Sequence, residues 1–204
     1  MKNKKKNIIE QEENDAIAVL AHPLVSLHNT VGIYSYDTAV VHLMKKYLNE
    51  FKDKEIHCSE CRPEKKGLSL AKKLSNIGYK VHLYTDMGFL SHLHKLDVVI
   101  TGADFIIKKG VVNTIGTSSI GALCRSMKKP FYVLLGSSKF LPGHNILSKR
   151  FELQSKDEII IDSPKIKTLN YYSDITPFKN ITYIVTEKRL YTPKDIIQYL
   201  KNFP

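Results

Sequence analysis

One stretch of this sequence, residues 102–119, combines a single carboxylate with several small hydroxyl-bearing side chains, Thr114, Thr117, Ser118 and Ser119. The apolar residues 96–101 before it predict a buried strand. Asp104 then lies at the strand's carboxyl end, the edge at which open α/β sheets bind ligands. Residues 113–117 predict the start of a helix, and free main-chain N–H groups at a helix start form an anion site. The spacing therefore predicts one carboxylate facing a phosphate-binding cradle.

The same residues have a plainer interpretation. An aspartate that follows a strand often only caps a turn, and an Asn-x-Ile-Gly-Thr run is also typical of an ordinary helix start. Residue types and spacing alone leave both interpretations of residues 102–117 open.

Short apolar runs alternate with amphipathic segments along the chain. This alternation predicts a parallel sheet covered on both faces, and therefore an α/β fold with a Rossmann-like parallel sheet and helices on both faces. Strands are predicted at residues 30–34, 56–58, 80–85, 97–101, 131–135 and 181–185. Helices are predicted at residues 16–27 with a bend or break at Pro23, at 37–51, 67–77 and 117–127, and from Pro193.

Length and local composition predict the domain organisation. A chain of 204 residues can bury one good core, so residues 16–204 are predicted to form a single domain. Residues 1–15 are charged and lack aromatic side chains, and they are predicted to be flexible. The loop at residues 136–157 is long for a compact domain, which is typical of a functional or mobile loop.

Hydropathy and charge indicate where in the cell the protein resides and which classes of partner it binds. No apolar run is long enough to cross a bilayer and no signal-peptide pattern opens the chain, so a cytoplasmic protein without a membrane partner is expected. The formal net charge of +11 would suit nucleic acid. The excess is almost wholly scattered lysine, whereas phosphate recognition favours arginine forks, so nucleic acid is not the favoured partner.

The three cysteines fit a reducing compartment. Cys58 and Cys61 form a Cys-x-x-Cys pair, which elsewhere indicates zinc or disulfide exchange. Here the pair has no second Cys pair, and Cys124 alone does not complete a structural zinc site. We expect no metal and no cofactor.

Several ordered motifs resemble those of the initiation factor 2B family. That family contains the alpha, beta and delta subunits of translation initiation factor 2B, methylthioribose-1-phosphate isomerase and ribose-1,5-bisphosphate isomerase. The matching motifs, in chain order, are Glu60-Cys61-Arg62-Pro63 with Gly67, Gly102-Ala103-Asp104, residues 113–117, Asp174-Ile175-Thr176-Pro177 and Thr186-Glu187-Lys188. The resemblance covers nearly the whole chain from about residue 18.

The resemblance implies a site at the carboxyl edge of the sheet that binds a phosphorylated small molecule. In the isomerases of the family a cysteine after the first core strand works with the aspartate of Gly-Ala-Asp. Asp104 would be the catalytic aspartate here, and Ser35 stands at the cysteine position. The ligand-binding residues implied are Tyr34, Ser35, Arg62, Gly102, Asp104, Asn113, Thr114, Gly116 and Thr117.

This chain departs from the isomerase pattern in three ways. Ser35 replaces the cysteine, and a serine hydroxyl does not exchange protons near neutrality without a strong base beside it. Thr114 replaces a lysine that would neutralise the substrate phosphate. About 28 residues precede the first strand, where the isomerases place a helical domain that helps to close the pocket.

These departures favour a non-catalytic regulatory or assembly protein, similar to the initiation factor subunits, that keeps a phosphate or sugar-phosphate pocket. An aldose–ketose isomerase acting on a phosphorylated ribose is the alternative, and a basic RNA-associated domain with a vestigial pocket is a third. Family members pair through the C-terminal half of this domain. The resemblance therefore implies a homodimer, or pairing with related subunits, with apolar surface supplied by the loop at 136–157 and by Tyr171 and Tyr172.

Overall fold

The computed structural model describes residues 2–141, 151–155, 158–159, 163 and 165–203, with side chains from residue 7 onward. Its centre is a seven-stranded sheet in the order β10-β9-β7-β4-β1-β2-β3. The strands are β1 (Thr30–Tyr34), β2 (Glu55–Ser59), β3 (Val81–Tyr84), β4 (Val98–Thr101), β7 (Phe131–Leu134), β9 (Tyr183–Val185) and β10 (Leu190–Tyr191). All of the pairings are parallel except that of β9 with β10.

Seven helices flank the strands in the described part of the chain. They are α1 (Lys2–Ser26), α2 (Thr38–Lys46), α3 (Leu48–Phe51), α4 (Lys66–Ile77), α5 (Asp86–His92), α6 (Thr117–Ser126) and α7 (Pro193–Lys201). One buried cluster joins α1, α2 and α4 to the sheet, and a second joins α5, α6 and α7 to it. The predicted α/β class with a parallel sheet is confirmed, and it explains why the central strands are apolar on both faces.

Local signals account for several helix boundaries. Asp37 caps α2, because its Oδ1 accepts a hydrogen bond of 2.8 Å from the N–H of Ala39. At α7 the hydroxyl of Thr192 and the carboxylate of Asp195 form a reciprocal capping box, with Pro193 in the first turn. Among the described residues no helix is long and apolar enough to cross a membrane.

The N-terminal helix differs from the sequence-based expectation. A helix was predicted from residue 16 with a bend or break at Pro23, yet α1 begins at Lys2 and runs through Pro23 without a break. The flexibility predicted for residues 1–15 stays a prediction. Carboxylates near the middle of α1 bind other elements, and Glu10 accepts a hydrogen bond of 2.8 Å from Thr38. Glu13 accepts hydrogen bonds from Ser138, and Asp15 pairs with Lys46 at 2.7 Å. These partners are distant in sequence, so local composition did not reveal them.

A second, three-stranded sheet was not predicted. It consists of β5 (Phe105–Ile107), β6 (Gly110–Thr114) and β8 (Ser173–Thr176), in the order β5-β6-β8 with antiparallel pairing. Asn113 and Thr114 therefore lie on a strand, and the prediction that they begin a helix was wrong. The β-branched residues of β6 pair with a strand some sixty positions away, whereas α6 begins only at Thr117. Residues 142–150 and 156–157 of the long predicted loop lie outside the described part of the chain.

Candidate functional site

A hydrogen-bonded network of buried polar side chains lies at the carboxyl edge of the central sheet. The Nδ2 of Asn113 donates to the hydroxyl of Thr101 at 3.0 Å and to that of Thr117 at 3.2 Å. Thr101 donates in turn to the carbonyl of Tyr34 at 2.7 Å, and Thr117 to the carbonyl of Thr114 at 2.6 Å. The structure thus brings together four residues that the sequence singled out, and Thr101 joins them from the end of β4.

Ser35 joins this network from the loop after β1. Its hydroxyl lies 2.7 Å from the hydroxyl of Thr114, and both side chains are buried. Its backbone is in the left-handed region with φ of 64°, which is unusual for a residue with a side chain. Because the partner is another neutral hydroxyl rather than a base, this contact does not activate Ser35 for proton transfer.

Cys61 is a neighbour of Ser35 that sequence analysis did not place in the site. Its Sγ accepts a hydrogen bond of 3.2 Å from the main-chain N–H of Ser35. Burial raises the pKa of the Cys61 thiol to about 12, and the nearby Asp86 carboxylate contributes to the increase. The thiol is therefore held in its neutral form near pH 7.

Asp86 organises the loop that carries Cys61. Its two carboxylate oxygens accept hydrogen bonds from the main-chain N–H groups of Cys61 at 2.9 Å and Arg62 at 2.8 Å. The Arg62 side chain is exposed and donates to the main-chain carbonyl of Glu158 at 2.7 Å. Arg62 thus ties this loop to a distant segment, and its predicted role in ligand binding stays a prediction.

The Gly-Ala-Asp turn meets an ion pair between the largely buried Asp37 and the partly exposed Lys139. A Cβ on Gly102 would lie 2.0 Å from the Cγ of Asp37, so only glycine permits this approach. The Nζ of Lys139 donates to Asp37 at 3.1 Å and to the carbonyl of Ala103 at 2.9 Å. The main-chain N–H of Asp104 donates to Val112 on β6 at 2.9 Å, which joins the turn to the second sheet.

The electrostatics of this ion pair bear on Asp104. Burial raises the pKa of Asp37, and the Lys139 ammonium opposes that increase. Repulsion from Asp104 raises the Asp37 pKa further, so the two carboxylates are close enough to interact electrically. The sequence placed Asp37 only at the start of a predicted helix and did not mark Lys139. The site accordingly holds two carboxylates and one ammonium where a single carboxylate was expected.

The start of α6 differs most from expectation. Its N–H groups were predicted to be free for an anion, but Asp174 on β8 already binds two of them. The Oδ2 of Asp174 accepts hydrogen bonds from Gly116 at 2.8 Å and from Ser118 at 3.1 Å. Burial raises the pKa of Asp174 to about 6, although both N–H groups lower it. A protein carboxylate therefore occupies the position predicted for phosphate.

Tyr34 and Gly116 belong to one packing arrangement. The Tyr34 hydroxyl donates to the carbonyl of Ile115 at 2.5 Å, and burial raises the pKa of that hydroxyl. Gly116 has φ of 99°, and a Cβ there would lie 2.5 Å from the same hydroxyl. Both residues shape the β6–α6 connection, and a role in ligand binding stays a prediction for each.

Chemically, this edge offers buried hydroxyls, one amide, two carboxylates and one ammonium. They lie at the ends of β1, β4 and β6 or in the segments that follow β1, β4, β6 and β7. Such a set suits hydrogen bonding to a polyol or sugar. Sequence analysis did not assign Lys139 or Asp174 to the site, since each is far in the chain from the residue it contacts, Ala103 or Gly116, and meets it only through the fold.

Comparison with known proteins places these motifs in a family. The model of the initiation factor 2 subunit family matches residues 3–193. The chain is similar to ribose 1,5-bisphosphate isomerase of Methanocaldococcus jannaschii, with 32% identity over 172 residues, covering 81% of this chain and 56% of the relative. It is also similar to methylthioribose-1-phosphate isomerase of a Sulfurihydrogenibium species, with 34% identity over 205 residues, covering 91% of this chain and 57% of the relative.

The initiation factor branch is equally represented. Translation initiation factor eIF2B subunit alpha of Dictyostelium discoideum is 27% identical over 221 residues, covering 94% of this chain and 67% of the relative. The crystal structure of translation initiation factor eIF-2B from Pyrococcus horikoshii superposes with a TM-score of 0.80 at 25% identity, covering 92% of this chain and 67% of that one. The chain spans between about half and two thirds of the length of these relatives. The protein belongs to the initiation factor 2 subunit family.

Proposed function

We propose that this protein is a non-catalytic, initiation factor 2B-like regulatory or assembly protein with a phosphate or sugar-phosphate pocket at the carboxyl edge of its central sheet. The observation that carries the proposal is the contact between Ser35 and Thr114. Both positions depart from the isomerase pattern, and their hydroxyls bind each other instead of presenting an acid–base group and a cation.

Two features favour retained ligand binding without turnover. The buried network around Asn113 is complete and rigid, so hydroxyl and amide groups are already oriented at the edge. Lys139 supplies an ammonium beside Asp37 and the Gly-Ala-Asp turn. Losing a positioned acid–base group typically costs ~10²–10⁴-fold in rate, so isomerisation by this chain should be undetectable or very slow.

Assembly is the second part of the proposal. Ile166, Leu169 and Tyr171 are exposed apolar side chains near β8, at 52%, 57% and 37% exposure. We propose that they contribute to a symmetric dimer or to pairing with related subunits, in the cytoplasm. Sedimentation of the protein should then give a mass above 23.3 kDa, and Leu169→Glu should shift it toward the monomer. A wild-type monomer at micromolar concentration would contradict this part.

One observation favours the isomerase alternative. The Cys61 thiol lies 3.2 Å from the Ser35 N–H, so a sulfur is present beside the position at which the family's isomerases carry cysteine. Its raised pKa opposes a role in proton exchange unless a bound ligand changes its surroundings.

The experiment compares binding and turnover of the same compounds. Methylthioribose 1-phosphate and ribose 1,5-bisphosphate are each titrated calorimetrically into the full chain, and each mixture is then analysed for the ketose product. The proposal expects saturable binding with no product. Turnover that is abolished by Asp104→Asn would favour the isomerase, and loss of that turnover in Cys61→Ser would identify the thiol. If the protein neither binds nor converts either compound, the proposed pocket is wrong.

A further inference from the structure

A second cluster of chemically capable side chains lies away from the site described above, on strands β2 and β3. Glu55 and His57 are two residues apart on β2, so both side chains point to the same face of the sheet. Parallel pairing sets His57 directly beside His82 on β3, which is the edge strand. The fold thus gathers one carboxylate and two imidazoles at one edge of the sheet.

The ligating atoms are close together. One carboxylate oxygen of Glu55 and one ring nitrogen from each histidine all lie within 4.8 Å of one another. The Nε2 of His57 lies 3.6 Å from Oε2 of Glu55. Two ligands on a tetrahedral zinc ion are roughly 3.3 Å apart, given bonds of about 2.0–2.1 Å. Glu55 is exposed and His82 half-buried, so rotation of these side chains can supply the small closure required.

His57 provides the independent evidence for a ligand. The residue is only 7% exposed, and its Nε2 is buried without a hydrogen-bond partner among the residues that the structure describes. Its other ring nitrogen, Nδ1, lies 3.0 Å from the hydroxyl of Tyr84. A buried ring nitrogen without a partner costs free energy. A histidine that binds a metal through one ring nitrogen usually forms a hydrogen bond through the other nitrogen, which fixes the orientation of the ring.

We propose that Glu55, His57 and His82 bind one divalent transition-metal ion, with Zn²⁺ as the probe that suits two imidazoles and a carboxylate. Tyr84 acts as a positioning residue that orients the His57 ring. Three protein ligands leave a fourth position for water, and the ion would tie β2 to the edge strand. This proposal departs from the sequence-based expectation of no metal site, because His82 joins the other two ligands only through strand register.

The test titrates ZnCl₂ calorimetrically into the metal-free full chain and counts bound zinc after equilibrium dialysis. We expect saturable binding of one ion per chain. Glu55→Gln and His82→Gln alter an exposed and a half-buried side chain, so the fold should tolerate both substitutions. Loss of an outer-shell partner alone weakens metal affinity by ~10–100-fold. Each of these variants removes a direct ligand, so each should weaken zinc binding by that much or more. His94→Gln, an exposed histidine bonded to Ser91, is the matched control and should bind as the wild type does.

Two further variants separate this site from other zinc-binding groups. Tyr84→Phe should weaken zinc affinity while the ratio of one ion per chain is kept, as expected of a positioning residue. Cys61→Ser should leave binding unchanged, because that thiol lies outside the cluster and is buried. Absence of saturable binding by the wild type would overturn the proposal. Equal affinity in His82→Gln, or loss of binding in Cys61→Ser alone, would overturn it as well.

Discussion

The carboxylate of Asp174 binds the main-chain N–H of Gly116 at 2.8 Å, although 58 residues separate the two in the chain. The contact neutralises the start of α6 with a protein group. An anionic ligand that approaches this helix start must therefore compete with a carboxylate, so the protonation of Asp174 would control anion binding there.

Asp174 should make folding stability depend on pH. Its pKa is raised from 3.8 to about 6, so the folded state binds the proton more tightly than the unfolded state does. The stabilisation from this group is full below about pH 4 and is lost as pH rises through about 6; it amounts to on the order of 3 kcal/mol. Asp174→Asn should remove that part of the pH dependence in urea unfolding measured between pH 4 and 7.

The control for this experiment is Asp195→Asn. The hydroxyl of Thr192 lowers the pKa of Asp195, so its stabilisation is lost as pH falls, the opposite direction. A wild-type slope that persists unchanged in Asp174→Asn would show that another group is responsible.

Asp174→Asn should also strengthen anion binding. The amide oxygen of the asparagine can still accept hydrogen bonds from the N–H groups of Gly116 and Ser118, but the negative charge that competes with an anionic ligand is removed. We expect the affinity for inorganic phosphate at pH 7 to rise severalfold by calorimetry, with a smaller gain at pH 5, where the wild-type carboxyl is largely protonated. An affinity that falls or does not change would place the anion elsewhere.

Gly102→Ala should destabilise the fold. The new Cβ would lie 2.0 Å from the Cγ of Asp37, which is itself held by α2 and Lys139, so the turn must shift. Overpacking of this kind costs about 1–3 kcal/mol in thermal or urea unfolding. Gly88→Ala is the matched control, since it lies in α5 and its new Cβ would meet the Thr85 hydroxyl at 3.1 Å and two Tyr84 side-chain atoms at 3.6 and 3.7 Å, without a severe clash. Because alanine favours the helix more than glycine does, the free energy of unfolding of Gly88→Ala should equal or slightly exceed that of the wild type.

Lys139→Met should destabilise the protein because it leaves the Asp37 carboxylate buried without its cation. We expect a loss of about 2–3 kcal/mol near pH 7, below the range for fully buried pairs because Lys139 is partly exposed. The Asp37→Asn/Lys139→Met double variant should recover much of it, since no charge then remains buried. Lys188→Met removes an exposed lysine whose Nζ lies 3.9 Å from Glu187, a loose contact, and should cost almost nothing. Additive losses in the double variant would show that the pair is not coupled.

Much of the fold was available from local patterns. β1 has the predicted bounds of residues 30–34, and β4 and β7 agree to within one residue, because their apolar runs are continuous and end at turn residues. The start of α6 at Thr117 and of α7 at Pro193 also agrees, since hydroxyl and proline signals act locally. The family motifs were visible for the same reason, because each is contiguous in the chain.

Other features depend on contacts between distant segments. Asn113 lies on a strand because β8 pairs with β6, and Glu13 and Asp15 of α1 are bound by Ser138 and Lys46 of distant elements. The sequence determined which polar residues follow each strand, and its resemblance to the isomerases predicts that Ser35 and Thr114 stand where those enzymes carry cysteine and lysine. Only the tertiary structure decided that Asp174 caps α6 and that His82 lies beside His57. Strand register places His82 beside His57, and packing of the two sheets places Asp174 at the start of α6. Neither contact produces a periodic pattern in the local sequence from which it could be predicted.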